Sequence, residues 1–258
     1  MGGNCPAMDG KMNEDEFLNE LEVFGNEVEV CTRFFYAYRS INDVLVDNTK
    51  ALNIINRTPH LWTTISLALE TSFFIALSRI FDKDRRTHNV RRLLQIAKSN
   101  IDIFSEKALK NRKIKSMPNA HEMINEFMQD IYVATEKDFK RLERYVEKYR
   151  NISKTYEIIR HNLFAHRQKL NMNDIYKLYS KTNIPEIQKL LVFFKRLYDS
   201  LFRLFHDGRK PVLRRMRFSI KSIRKKPKNY TQLIHEIIIN ETQSFFDLLS
   251  LIPDFNLR

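Results

Sequence analysis

The chain has 258 residues, of which 43% are hydrophobic and 29% charged, and its formal net charge is +13. That length suits one large domain or two small ones with a proper core, and five glycines and seven prolines against abundant Leu, Ile, Lys, Glu, Arg and Phe favour helices over sheets. Cys5 and Cys31 have no CxxC spacing, which excludes structural zinc and a disulfide framework; no run of about eighteen uncharged apolar residues exists, and the polar, acidic start is unlike an export signal, so a soluble cytoplasmic protein is expected.

In chain order, Phe17, Leu21, Phe24, Val28, Cys31, Phe35, Tyr38, Ile41 and Leu45 recur at threes and fours, the stripe of a long amphipathic helix over 14–47. Thr58 then reads as an N-cap with Pro59 at the first helical position. The helix it opens, over 61–81, carries only Glu70 and Arg79 as charges, so it is expected at the centre of the fold, covered on most sides. A charged turn over 82–87 precedes a helix over 88–99, and a further helical piece reaches 115. Met117-Pro118-Asn119 breaks the pattern. Two more helices follow, over 120–133 and 138–166, the second with Asp138 as a candidate cap.

A short helix or turn over 173–180 comes next. Pro185 opens another helix through Leu191, Phe194, Leu197, Leu201 and Phe205, and Asp207-Gly208 closes it. The segment 209–228 holds Arg209, Lys210, Arg214, Arg215, Arg217, Lys221, Arg224, Lys225, Lys226 and Lys228 and no acid, so ten of the thirteen net charges are local to it. An amphipathic helix over 230–251 ends the pattern. The expected fold is all-α, an antiparallel up-and-down bundle over 13–208, a basic connector over 209–229, and a terminal helix over 230–258 packing on the bundle.

One segment concentrates chemistry: Arg160-His161-Asn162-Leu163-Phe164-Ala165-His166-Arg167, at the end of the helix over 138–166. Cleaving RNA without a metal requires a base of near-neutral pKa to take the 2′-hydroxyl proton, and imidazole supplies it. His166 is the candidate. Negative charge developing on the phosphorane requires a fixed cationic fork, which guanidinium provides better than ammonium. Arg160 fits that role. Asn162 either orients His166 or donates to a phosphate oxygen, His161 is a candidate acid for the leaving 5′-oxygen, and Arg167 flanks them. Arg160 and His166 are six residues apart, about 120° around an ideal helix, so they converge through long reach, a bend, or a second subunit across a two-fold axis. His161 and His166 do not share a face and no acid follows, so no metal pair is expected.

An Arg and a His with five residues between them, late in a helical chain, resemble the Arg-x4-6-His signature of the HEPN superfamily. The local form running through Ala165-His166-Arg167 is similar to its abortive-infection, AbiU2-like branch. A second stretch agrees with that branch: Leu67-Ala68-Leu69-Glu70, then Leu77-Ser78-Arg79-Ile80-Phe81-Asp82, then Asn89-Val90 with Leu93-Leu94. The resemblance implies a helical bundle, a homodimer whose cleft is a composite active site, and metal-independent endoribonuclease activity with no cofactor. It also implies a toxin or phage-defence role, Arg160 and His166 as the catalytic pair, and an antitoxin or regulatory protein as partner. Some relatives carry a Tyr two residues after the His that a nucleotidyltransferase antitoxin modifies; Gln168 stands there in this chain, so silencing by that route is not expected.

Glu70 and Arg79 are charges on an apolar helix, which costs free energy unless they are paired or solvated. Arg79 is expected to pair with Asp82 three residues on, with support of the motif helix as the other role for Glu70 and Arg79. His60, His88, His121, His206 and His235 read as structural, and the stripe Phe193, Phe194, Tyr198, Phe202, Phe205 as core or dimer surface. For the ten cations of 209–228, counterion release makes a sequence-indifferent RNA tether the favoured reading. A solvated loop and an anionic membrane surface are the alternatives.

Overall fold

The computed structural model describes residues 6–84, 86–159, 183–213 and 234–251. The described residues hold nine α-helices: α1 (Pro6–Asp47), α2 (Thr49–Arg57), α3 (Pro59–Ile80), α4 (Val90–Ser99), α5 (Glu106–Ser116), α6 (His121–Phe127), α7 (Glu136–Ile159), α8 (Ile184–Asp207) and α9 (Ile234–Leu251). Short 3-10 turns lie at Ile101–Phe104 and Met128–Asp130. The all-α class read from composition is the class observed.

The chain divides into two compact units, one from 1–27, 79–155 and 183–216, the other from 28–78, 156–182 and 217–258. In the first, the apolar stripe at the start of α1 meets α8 in antiparallel order: Phe17 lies 5.3 Å from Phe205, and Phe24 6.1 Å from Phe194. Phe104 from the 3-10 turn joins Phe17 at 5.1 Å and Phe139 of α7 at 5.3 Å. Phe17, Phe139, Phe194 and Leu93 are fully buried, each contributing about 1.5–3 kcal/mol by burial. α4 and α7 run antiparallel, with Lys98 reaching Glu143 at 3.4 Å and Arg91 reaching Glu147 at 2.9 Å.

Two glycines set the closest approaches here. A Cβ on Gly25 would stand 2.5 Å from Cε2 of Tyr198, so the bare backbone is what admits that ring against α1. Gly208 ends α8 in the left-handed region at φ 55°, a conformation costly for any residue with a Cβ. A Cβ there would also meet Cδ2 of Leu109 at 2.7 Å. α8 opens as expected, with Asn183 capping the amide of Glu186 and Pro185 in the first turn.

In the second unit, Phe35 packs on Phe73 at 5.4 Å, and Phe246 of α9 meets Trp62 at 5.7 Å beside Val44, Ala51 and Ile55. α2 is a helix that the sequence reading passed over; Asn48 breaks α1 and caps α2 by accepting from the amide of Ala51 at 3.0 Å. Its signal was local: an Asn cap, then Ala51 and Ile55 four apart on one face.

Three expectations need correction. α3 is not covered on most sides: Leu61 and Leu67 are 56% and 54% exposed, while Phe73, Phe74, Ala76 and Leu77 are buried. Its apolar residues run all round the first turns, and among the described residues only one side of that part is packed, through Trp62 on Phe246. Even with Glu70 within it, α3 is long and apolar enough by length and composition to cross a membrane, although residues of its second half are core. α4 starts at Val90 rather than at 88, because Asn89 turns its side chain to the amides of Arg91 and Arg92 at 3.1 and 2.9 Å and so becomes the cap. The helix expected over 120–133 stops at Phe127 and tightens into a 3-10 turn.

Candidate functional site

Arg160, His161, Asn162, His166 and Arg167 lie outside the described residues, as does the short element expected over 173–180. The helix before them, α7, is described through Ile159, and Arg160 is the next residue of the chain. Its start is held by a local network. The carboxylate Oδ2 of Asp138 accepts from the Thr135 amide at 3.0 Å, the Thr135 hydroxyl at 2.9 Å and the Tyr132 hydroxyl at 2.7 Å. Asp138 therefore acts from inside the first turn, reaching back as the acidic member of a capping box does, and Thr135 occupies the position before the helix. Burial opposes its charge, but these donors and the nearby Arg141 outweigh burial and hold the carboxyl below its ordinary range. Midway along, Glu147 receives both Arg91 at 2.9 Å and Arg150 at 3.0 Å, which hold its carboxyl low against the effect of burial.

The first residues of the basic connector are fixed to the same network. The Gly208 carbonyl accepts from the Tyr132 amide at 2.7 Å, and the Pro211 carbonyl from Arg141 at 2.9 Å. Lys210 lies over the Tyr132 ring, 5.1 Å from its centroid, and both Arg209 and Lys210 are exposed. Arg214, Arg215, Arg217, Lys221, Arg224, Lys225, Lys226 and Lys228 fall outside the described residues. What the fold supplies is a defined point of departure for the strip: Tyr132 and Arg141 tie its beginning to the turn before α7 and to the first turns of that helix.

Glu70 and Arg79 take separate partners. The expected Arg79–Asp82 pair gives way to a longer-range one, in which Arg79 meets Glu27 of α1 at 3.3 Å. Asp82 instead accepts from the amides of Lys83 and Asp84 at 2.6 and 3.1 Å, shaping the turn after α3. A carboxylate three residues on is in reach, but the backbone leaves the helix there and presents its own donors first. Glu70, in the second unit, lies near enough to Tyr38 to help burial raise that phenol above its ordinary value.

A buried charged cluster in the first unit escaped the sequence reading. Glu20 is 2% exposed, bonded by Nε of Arg92 and placed 3.0 Å from Nδ1 of His88, and Arg92 also reaches Glu16 at 3.3 Å. A signal was present: Glu20 sits three residues after Phe17 on the apolar stripe, where a carboxylate must find partners. Arg112 is a second such residue, meeting Glu14 at 2.6 Å and the Phe205 carbonyl at 3.0 Å, its guanidinium 4.0 Å from the Phe205 ring centroid. His88 is thus no lone histidine. His206 is half-buried against Phe202 and Phe205, and burial lowers its pKa; His235 lies 5.2 Å from the ring of Tyr36.

Among the described residues no group of three or more His, Cys, Asp or Glu is placed to hold a metal ion. A cleft of about 500 Å³ in the second unit opens where α1 breaks, between Asn48, Lys50 and Gln243, and gathers none of the residues singled out for chemistry.

Among known proteins, the family model described as AbiU2, a HEPN family, matches residues 14–219. That span runs from α1 through the Arg160–His166 segment into the basic connector. No curated protein and no solved structure matches the chain.

Proposed function

The chain belongs to the AbiU2 family of HEPN proteins, and from that premise we infer that it is a metal-independent endoribonuclease acting as a toxin or phage-defence effector in the cytoplasm. The observation that carries the reading is Arg160 and His166 with five residues between them in the sequence, within the matched span 14–219. His166 takes the 2′-hydroxyl proton, the 2′-oxygen attacks phosphorus, and the 5′-oxygen leaves with a proton from a second acid, for which His161 is the candidate. The products are a 2′,3′-cyclic phosphate and a 5′-hydroxyl. Arg160 stabilises the charge that grows on the non-bridging oxygens. Because residues six apart would stand about 120° apart on an ideal helix, the cleft in this reading is completed by a second copy across a two-fold axis. The ten cations of 209–228 hold the RNA backbone, and an antitoxin or regulatory protein restrains the activity.

The decisive measurement is incubation with total RNA in chelator-containing buffer. Wild-type protein cleaves and leaves cyclic phosphate ends, while His166→Ala and Arg160→Ala remain folded and do not cleave. Cleavage retained in both variants overturns the assignment, and activity lost on adding chelator replaces it with a metal mechanism. Wild-type protein that shifts RNA in a gel without shortening it makes the chain a non-catalytic RNA-binding module of a defence system.

A further inference from the structure

One face of α8 carries a ladder of rings that the core does not use up. Lys195 stands over Tyr198, 4.9 Å from its centroid, Tyr198 stacks on Phe202 at 6.0 Å with 28° between planes, and Phe202 lies 4.3 Å from His206. Tyr198 is packed against Gly25, and burial pushes His206 toward its neutral, ring-like form. Phe202 differs from both. It is 41% exposed, and apart from Ile184 at the helix start it is the one large hydrophobic side chain exposed on α8 among the described residues.

Its surroundings say what suits it. Arg203 is exposed beside it, and Arg209, also exposed, is tied to that turn by its amide, which donates to the Arg203 carbonyl at 3.2 Å. A protein or lipid contact needs a contiguous apolar patch; here a single ring lies among cations, with Lys195 paired to Asp199 at 2.9 Å. An exposed ring in contact with other rings, with exposed arginines at the next position and just past the helix end, supplies both a surface on which a nucleic-acid base stacks and charges that neutralise its phosphates. From Phe202 to Arg209 the chain advances only about 10 Å at helical rise, so the ring adjoins the head of the ten-cation strip.

We propose that the outer face of α8 is a single-stranded RNA contact, in which a base stacks on Phe202 and Arg203 and Arg209 meet the adjacent phosphates. This rests on the reading of RNA as substrate and adds to it a binding element separate from the Arg160–His166 segment. The contact is indifferent to base identity, since every base has a π-face.

The test uses the full chain and a uridine 12-mer carrying 2′-O-methyl groups, which 2′-oxygen attack cannot cleave, alongside a 12-mer of abasic residues. Wild-type protein binds the base-bearing oligomer more tightly. Phe202→Ala weakens that binding about tenfold and leaves the abasic oligomer unchanged, and Phe202→Trp restores it. The double variant Arg203→Gln, Arg209→Gln weakens both oligomers alike. Equal binding by wild type and Phe202→Ala overturns the proposal, as does an equal loss on both oligomers, or a change in sedimentation of Phe202→Ala with RNA binding intact. Unmodified RNA assayed in parallel separates the two readings: cleavage with binding indifferent to Phe202 removes the α8 contact alone, whereas Phe202-dependent binding without cleavage sustains the contact and removes the ribonuclease. Binding to neither oligomer, with no cleavage, overturns both.

Discussion

The buried carboxylate of Glu20 holds Nδ1 of His88 at 3.0 Å, although 68 positions separate them in the chain and the imidazole itself is half exposed. Arg92 binds the other carboxylate oxygen, so α1 and the start of α4 are joined through one side chain.

Glu20→Ala removes the buried acceptor that Arg92 and His88 share. We expect a loss of about 3 kcal/mol, against a smaller loss for Glu20→Gln, which keeps a carbonyl oxygen in place. Urea unfolding with a double-mutant cycle through His88→Ala checks this; additive effects mean the two residues do not interact.

Gly208→Ala places a methyl in a left-handed residue and against Leu109 and Ile131. Backbone strain of about 1–2 kcal/mol and overpacking of similar size both oppose folding, so the expected effect is a fall of several degrees in Tm. Leu109→Ala in the same background should recover part of the overpacking loss and none of the strain.

Asp138 links stability to acid pH. Its folded carboxyl is held below the ordinary range, so below about pH 3.9 the unfolded chain takes up a proton first. The contribution is present above that value and disappears as pH falls through the folded pKa. Asp138→Asn should flatten the acid limb of stability against pH while lowering stability at neutrality, and an unchanged acid limb would remove Asp138 from the account.

A basic connector that holds RNA as proposed sets the salt dependence of binding. Replacing Arg224, Lys225 and Lys226 by Gln should reduce the slope of log K against log salt by about 2 for single-stranded RNA, at about 0.7 per phosphate contact. Fluorescence anisotropy between 50 and 300 mM salt, as rough limits for such a titration, reads it directly. A slope equal to that of wild type makes the strip a solvated loop.

The features legible from sequence are the ones that act within a few residues of chain. The stripe at threes and fours marked α1, and Pro185 and Gly208 marked the ends of α8, because helical periodicity and capping depend only on near neighbours. The same locality made the Arg160 and His166 spacing and the resemblance around it readable without a structure, and the family match over 14–219 agrees with the family read from it. α2 was missed although its cap is local, since its nine residues give little room for a period to show.

Partner choice was decided elsewhere. Asp82 is three residues from Arg79, yet Arg79 meets Glu27, 52 residues away. His88 looked solitary until Glu20 was brought beneath it. α3 looked like a central helix, and its first turns stand exposed. Local periodicity fixes which residues share a face, but which face meets which depends on how distant segments pack, and that is a property of the tertiary structure alone.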